Sequence, residues 1–189
     1  GLHGVGTGPS DVCRVGRLDP AVPIEETIGA IVGLIKSGHV RYIGLSEVGA
    51  ETIRRAHSTH PICDLQIEYS LVSRSMERQI LPTLRELGIG VTAYGVLSRG
   101  LLTGSRPGGR GDFRSHLPRF SGANYERNRT LVEALAQFAS EKSMTPSQVA
   151  IAWVLSKGGD IIPVIGARKR TQFEESIGAL QGSPSAADI

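Results

Sequence analysis

The chain has 189 residues, enough for one ordinary domain with a hydrophobic core. Its 40% hydrophobic and 21% charged residues are typical of a soluble globular protein. The net charge of +3 is small and spread along the chain, whereas nucleic-acid-binding proteins usually present a clustered basic face. No segment approaches the roughly 20 apolar residues that cross a bilayer, and no signal-peptide pattern opens the chain. We therefore expect a cytoplasmic protein without nucleic-acid or membrane partners.

Cysteine and histidine spacing indicates neither a redox motif nor a metal site. Cys13 and Cys63 are isolated thiols, as expected in a reducing compartment, and Cys63 borders an apolar run that favours a small buried hydrophobe. His57 and His60 stand three residues apart on one predicted helix, without a third ligand nearby in sequence.

Residues 1–22 differ from the rest of the chain. They are glycine-rich and show no hydrophobic period, so we predict a disordered leader without secondary structure. Gly4, Gly6 and Gly8 superficially suggest a phosphate-binding loop, but no strand precedes them and no Gly-Lys-Ser/Thr ending follows.

From residue 23 onward, helices and strands alternate. Helices are predicted from Pro23 to Gly38, over 49–60, 76–87 and 125–142, from Thr145, and from Thr171 to Leu180; strands are predicted over 40–46, 64–70, 90–95 and 160–166. Capping boxes are predicted for Thr145 with Gln148 and for Thr171 with Glu174. The glycine- and proline-rich segment before residue 125 is predicted to be a functional lid or disordered.

This alternation predicts parallel strands joined by right-handed crossovers. Four strands fit either a small open sheet or half of a closed barrel, and the pattern alone does not separate the two. Ligands of such folds bind beyond the carboxyl ends of the strands, which points to Ser46, to Gln66, and to the segments 94–100 and 166–172. Gln66 and Glu68 should share one side of their strand, where a carboxamide could bind an amide-bearing ligand or make an ordinary polar contact.

Three cations, Arg168, Lys169 and Arg170, directly precede the last predicted helix. Cations at a helix amino terminus oppose its dipole at a cost of about 0.3–1 kcal/mol each. A bound phosphate would reverse this balance, because backbone N–H groups and arginine would share one anion. The alternative is a solvated cluster of charges.

Five segments in one order resemble the aldo-keto reductases: VRYIGLSEV, DLQIEYSLVSR, GIGVTAYGVLSRGLLTG, PRFSGANYERN and IIPVIGARKRTQFEESIGAL. The resemblance covers residues 17–182. It implies an α/β fold, a partial (β/α)8 TIM barrel with roughly strands 5–8 and their helices, the N-terminal half being missing. Residues 23–182 would form this half and residues 183–189 a loose tail. The family binds NADPH and reduces aldehydes and ketones by hydride transfer.

The resemblance implies a role for each matching residue at the nicotinamide end of the cofactor. Ser46 and Gln66 would hold the nicotinamide carboxamide, and Tyr94 would stack on the ring. Val96 replaces a proline common in the family, which we expect to loosen the pyrophosphate loop. The loop residues implied to wrap the pyrophosphate are Gly95, Leu97, Ser98 and Arg99.

At the adenosine end, Gly166 and Arg168 resemble the 2′-phosphate site, in agreement with the argument from the helix terminus. Gln172 and Glu175 match residues near adenine, and Ser176 stands where the family usually has asparagine. The implied cofactor is therefore NADP.

The family's catalytic Asp, Tyr, Lys and His lie on the first half of its barrel, with the tyrosine as general acid. Three of the four would precede residue 1, and the histidine would fall at Gly16, directly before the Arg-x-Asp-Pro motif of residues 17–20. We therefore predict no catalytic residue in this chain and no activity of the chain alone. The alternatives are a non-catalytic NADP-binding or regulatory protein and a truncated gene product. Expected partners are NADPH, the small carbonyl substrate of a complete family member, and a second copy meeting the open sheet edges.

Overall fold

A computed structural model describes residues 10–109 and 111–181, which contain one five-stranded parallel sheet whose strands follow one another in chain order. The strands are β1 (Ser10–Val15), β2 (Val40–Ser46), β3 (Ile62–Glu68), β4 (Gly90–Tyr94) and β5 (Ile161–Pro163). The helices are α1 (Ile24–Lys36), α2 (Ala50–Thr59), α3 (Ile80–Glu86), α4 (Gly122–Glu141), α5 (Pro146–Ser156) and α6 (Arg170–Ile177). Short 3₁₀ turns lie at Ser75–Glu77, Ser98–Thr103, Phe113–His116, Pro118–Phe120 and Gly178–Leu180.

The first strand corrects the prediction of an unstructured leader. Residues 10–15 form β1, which pairs in parallel with β2 and sets Arg14 opposite Gly44. The sheet thus has five strands where four were predicted. Polar residues interrupt the hydrophobic alternation of β1, because Asp11 and Arg14 fall on opposite faces of this short strand. Residues 1–9, with the three predicted loop glycines, and the tail 182–189 lie outside the described residues.

The boundaries of two further strands differ from the predicted ones. β3 begins and ends two residues earlier than predicted, because Ser70 turns back to exchange two backbone hydrogen bonds with Ser73. β5 has three residues where seven were predicted. The Thr145–Gln148 capping box is confirmed, with Gln148 N donating to Thr145 Oγ1 (3.2 Å) and Thr145 N donating to Gln148 Oε1 (2.9 Å).

The predicted capping box of Thr171 with Glu174 is wrong. The last helix begins at Arg170, so Thr171 already lies inside its first turn. Gln172 Oε1 accepts from the backbone N–H groups of Arg168 (2.9 Å) and Lys169 (3.1 Å). A side-chain amide one turn into the helix thus satisfies donors that a hydroxyl at the cap was expected to satisfy.

The described residues divide into two compact units, one of residues 10–67 with 75–92, the other of residues 68–74 with 93–109 and 111–181. In the first unit, three apolar side chains of β2 and β3 face the helices and are fully buried. Ile43, Leu45 and Leu65 pack on this face with Ile28 of α1 and Ile53 of α2. Burying each such side chain stabilises the fold by about 1.5–3 kcal/mol.

The opposite face of the same strands carries a polar cluster. Arg14 of β1 forms an ion pair with Asp64 of β3 (Nη2 to Oδ2, 2.5 Å) and donates to Thr92 Oγ1 of β4 (3.3 Å). The Thr92 hydroxyl also donates to Asp64 Oδ2 (2.5 Å). Gly44 of β2 lies beneath this cluster, and a Cβ there would overlap Asp64 Oδ1 and stand 2.8 Å from Arg14 Cγ. Only glycine at this position leaves room for the ion pair.

In the second unit, α5 is buried on nearly every side, as its apolar sequence requires. It packs against α4, β5, α6 and the 3₁₀ turn Ser98–Thr103. The Trp153 ring lies 5.3 Å from the Tyr69 ring, and the Lys157 ammonium lies 4.5 Å from the same indole. This helix is therefore the common support of the loop after β4 and of the last helix.

Replacement of Gly44 by alanine tests the packing of the polar cluster. We expect Gly44→Ala to lower the free energy of unfolding by about 1–3 kcal/mol, because the added methyl overlaps the Asp64 carboxylate. Urea denaturation measures this change. Gly16→Ala is the matched control, since a Cβ there meets no atom within 4 Å, and we expect a change within about 0.5 kcal/mol. Equal stabilities of the two variants would contradict the assignment.

Candidate functional site

Ser46 and Gln66 lie side by side where β2 and β3 approach their carboxyl ends. The two residues are partners in the parallel ladder, and both side chains are half-buried. Glu47 N donates to Gln66 O (3.0 Å). Glu47 has a left-handed backbone (φ 54°), which ends β2 directly after Ser46. The structure therefore brings together one hydroxyl and one carboxamide, a neutral pair able to hydrogen-bond an amide.

Gly16 directly follows β1. It is exposed, and a Cβ there would have no atom within 4 Å. The cation two residues earlier, Arg14, is held by Asp64, whose hydrogen bond raises the pKa of the guanidinium further above its ordinary value. Arg14 is therefore no proton donor, and Gly16 brings no titratable group to the end of the strand.

Tyr94 ends β4 and is half-buried, and its carbonyl oxygen accepts from Tyr69 N (3.0 Å). Gly95 follows with a left-handed backbone (φ 67°), and a Cβ there would stand 3.1 Å from Glu68 Cγ. Val96 is buried in the core, and Leu97 is half-buried. The buried Val96 side chain anchors the start of the loop.

The next two residues adopt an unusual backbone conformation. Ser98 (φ 49°) and Arg99 (φ 58°) are consecutive non-glycine residues in the left-handed region, followed by Gly100 (φ 89°). The left-handed region costs a non-glycine residue roughly 1–2 kcal/mol. Ser98 N donates to Gly95 O (2.7 Å) and Gly100 N donates to Leu97 O (2.9 Å), which closes the bend. A conformation of this cost persists only where the surroundings stabilise it.

Arg119 supplies part of that stabilisation. Its Nη1 donates to the fully buried Ser98 hydroxyl (2.6 Å), and its Nη2 forms an ion pair with Glu68 Oε1 (2.8 Å). Ser73 Oγ donates to the same carboxylate oxygen (3.0 Å), and Asn128 Nδ2 donates to Arg119 O (2.9 Å). Sequence reasoning missed Arg119, because it lies in a segment without hydrophobic period; the segment PRFSGANYERN of the family resemblance was the available signal.

Arg114 organises the segment that was predicted to be a lid or disordered. Its guanidinium binds the Asp112 carboxylate (Nη2 to Oδ2, 2.7 Å), Ser105 Oγ (3.1 Å), and the carbonyl oxygens of Arg99 (3.3 Å) and Arg106 (3.0 Å). These hydrogen bonds from Arg114, with backbone N–H donors, hold the pKa of Asp112 far below the usual carboxyl range. One arginine thus ties together several turns of this loop.

Arg99 differs from both of these arginines. Its guanidinium lies over the Phe113 ring at 5.7 Å and has no acidic partner among the described residues. Arg114 and Arg119 are neutralised by Asp112 and Glu68. Within this loop, Arg99 is therefore a cation left to meet an external anion.

The predicted 2′-phosphate site lies between β5 and α6. Arg168 and Lys169 are exposed, and their side chains have no partner in the part of the chain that the structure describes. Arg170 instead pairs with Glu174 one turn later (2.7 Å). Gly166 has no neighbouring atom within 4 Å of where a Cβ would stand. The site therefore offers two unpaired cations, although an anion would share the two N–H groups that Gln172 now occupies.

The side chains of Glu175 and Ser176, predicted to lie near adenine, form hydrogen bonds with other residues of the protein. Glu175 Oε1 accepts from the Thr145 hydroxyl (2.8 Å), and Glu175 O accepts from Gln148 Nε2 (3.1 Å), so this residue joins α6 to the start of α5. Ser176 Oγ donates to Gln172 O (2.8 Å). A ligand would have to compete with these bonds to reach either side chain.

Cys63 departs from its prediction. Cys63 lies near the start of β3 and is half-buried, not fully buried. Its Sγ lies 3.6 Å from Asp64 Oδ1. Burial raises the pKa of this thiol above its ordinary value. Within residues 10–109 and 111–181, no three His, Cys, Asp or Glu side chains cluster as metal ligands, and no helix has the length and apolar character to span a membrane.

Comparison with known proteins places these features in one family. The pattern of the aldo/keto reductase family matches residues 2–188, and thus includes the segment predicted to be a leader. Probable aldo-keto reductase 1 of Glycine max is 42% identical over 182 residues, which are 92% of this chain and 51% of that protein.

Two solved structures share the fold. The glycerol dehydrogenase AKR11B4 from Gluconobacter oxydans superposes with a TM-score of 0.87 at 27% identity, over 95% of this chain and 56% of that one. A thermostable aldo-keto reductase, Tm1743, in complex with the inhibitor epalrestat gives 0.75 at 23% identity, over 96% and 58% of the two chains. The chain thus spans about half the length of the relatives it matches. It belongs to the aldo/keto reductase family.

Proposed function

We propose that this chain forms the part of an NADPH-dependent aldo-keto reductase that holds the cofactor, as a portion of a (β/α)8 barrel. One observation carries the proposal: at the start of α6, where the resemblance to the family expects the 2′-phosphate, Arg168 and Lys169 present two cations that pair with no acid among residues 10–109 and 111–181. A 2′-phosphate distinguishes NADP from NAD, so unpaired cations there favour NADP. We also propose that the protein is cytoplasmic and that its substrate is a small carbonyl compound.

The other groups fit a nicotinamide dinucleotide. Ser46 and Gln66 offer a hydroxyl and a carboxamide to the nicotinamide amide, and Tyr94 offers a half-buried ring at the end of its strand. The Gly95–Arg99 bend offers an unneutralised guanidinium to the pyrophosphate. When bound, the nicotinamide would supply the hydride for carbonyl reduction.

We propose further that these 189 residues alone reduce carbonyls very slowly. Carbonyl reduction needs an acid that protonates the oxygen as hydride reaches the carbon. The position at which the family resemblance expects the catalytic histidine is Gly16, and the neighbouring Arg14 is committed to Asp64. Gly16 equally favours the second candidate, a non-catalytic NADP-binding or regulatory protein.

Removal of Arg168 tests the cofactor assignment. We expect Arg168→Gln to weaken NADPH binding roughly 10- to 100-fold, as loss of a charged hydrogen bond to phosphate implies, and to leave NADH binding unchanged. NADPH fluorescence titration measures both affinities. Arg170→Gln is the matched control, because Arg170 is already paired with Glu174. Absence of NADPH binding by the parent chain at millimolar concentration would refute the proposal.

Turnover tests the proposed inactivity. We expect no NADPH oxidation above background with a reactive aldehyde, and no recovery in Gly16→His, since the tyrosine that acts as the family's general acid is still not supplied. The added imidazole fits the open space at residue 16, so the melting temperature should stay unchanged. Turnover comparable to that of ordinary reductases, in either protein, would contradict the proposal.

We also propose self-association through the open sheet. β1 and β5 are the end strands of the described sheet, and unpaired strand edges bind other strands readily. Tyr42 of β2 is 57% exposed in the first unit; in the second, Ile162 of β5 is 65% exposed and Val164, directly after β5, is 48% exposed.

Analytical ultracentrifugation of the parent chain should show concentration-dependent association. Ile162→Lys places a charge on the edge strand and should reduce it. Leu131→Lys, at an equally apolar and exposed position of α4 (52%), is the control and should not. A monodisperse monomer at all concentrations would exclude association by this route.

A further inference from the structure

The predicted cofactor contacts do not explain the hydrogen bond between Ser98 and Arg119. The Ser98 side chain is fully buried, yet its residue belongs to the bend proposed to meet the pyrophosphate. A serine hydroxyl that is fully buried and bound to an arginine at 2.6 Å is not directed at a ligand. Its contribution must pass through the backbone that carries it.

We propose that Ser98 and Arg119 are a positioning pair that holds the bend of residues 95–100 in the shape that binds the pyrophosphate of NADPH. This inference rests on the function proposed above. The pair is not part of the chemistry, and neither side chain needs to touch the cofactor.

The backbone conformation gives the physical reason. Ser98 and Arg99 both occupy the left-handed region, where glycine is the residue without steric cost. Without an outside constraint, such a bend would relax toward ordinary backbone angles. The Arg119 guanidinium supplies that constraint at the first of the two residues, and charged donors form the stronger hydrogen bonds of proteins.

Arg119 is itself fixed from two sides. Glu68, at the end of β3, holds the guanidinium at 2.8 Å, and Asn128, in α4, donates to the Arg119 carbonyl at 2.9 Å. Ser73 donates to the same Glu68 carboxylate. The bend is therefore tied to a strand end and to a helix, both of which are regular elements and more rigid than a loop.

The shape of the bend at residues 95–100 affects anion binding through Arg99. It follows Ser98 directly, so the backbone angles at Ser98 decide the direction in which the Arg99 side chain leaves the bend. Its guanidinium meets the Phe113 ring and no carboxylate among the described residues. Fixing Ser98 thus orients the Arg99 cation without neutralising it.

A double-mutant cycle tests the pair. The proteins are the full 189-residue chain, Ser98→Ala, Arg119→Gln and the double variant, each titrated with NADPH and with adenosine 2′-monophosphate. The second ligand carries the 2′-phosphate and adenine but no pyrophosphate. We expect each single variant to weaken NADPH binding about tenfold, and the double variant to bind as weakly as either single one.

Affinity for adenosine 2′-monophosphate should stay unchanged throughout, which separates positioning of the bend from general loss of folding. Arg119→Lys should not restore NADPH affinity, because one ammonium cannot reproduce the paired contacts to Ser98 and Glu68. The matched control is Arg127→Gln, which removes an exposed charge from α4 and should leave both affinities unchanged. Additive effects of the two single variants, or an equal loss of affinity for both ligands, would overturn the proposal.

Hydrogen exchange of the backbone amides of residues 95–100 separates this inference from the function on which it rests. We expect faster exchange there in both single variants without any ligand. If the parent binds no NADPH but the exchange rates rise as expected, the proposed function fails while the pair is still shown to hold the bend. Unchanged exchange rates would overturn the pair, whatever the cofactor affinity.

Discussion

The alternation of side chains along a β-strand is the constraint on which the described structure depends. In β2, Ile43 and Leu45 face the helices and are fully buried, so Gly44 and Ser46 must face the other way. The same period sets Arg14 on that second face of β1 and Gln66 on that face of β3. Hydrophobic burial on one side of the sheet therefore decides which polar groups gather on the other.

Arginine serves two different purposes in this chain, and its partner determines which. Arg14, Arg114 and Arg119 each face a carboxylate, and each connects segments distant in sequence or several turns of one loop. Arg99 and Arg168 face no carboxylate in the described residues. A planar guanidinium satisfied by an acid and by carbonyl or hydroxyl oxygens is a structural crosslink; one without an acid is available to a phosphate.

The sequence predicted the elements with strong periodicity and missed those that depend on distant partners. The strand over residues 40–46 and the capping box at Thr145 are confirmed, because each follows from a local pattern. β1 was missed because its residues show no hydrophobic period; the strand is stabilised by its pairing with β2. Arg119 was missed for the same reason, since its role depends on Glu68, fifty-one positions earlier.

The two glycines Gly44 and Gly16 differ in whether the fold requires them. Gly44 is required by packing, because any Cβ there would overlap the Asp64 carboxylate that Arg14 binds. Gly16 follows the end of β1, where a Cβ would meet nothing within 4 Å. Nothing in the described fold therefore demands glycine at residue 16. Since the cofactor-binding groups proposed here depend on neighbours other than Gly16, a substitution at that position would leave them in place.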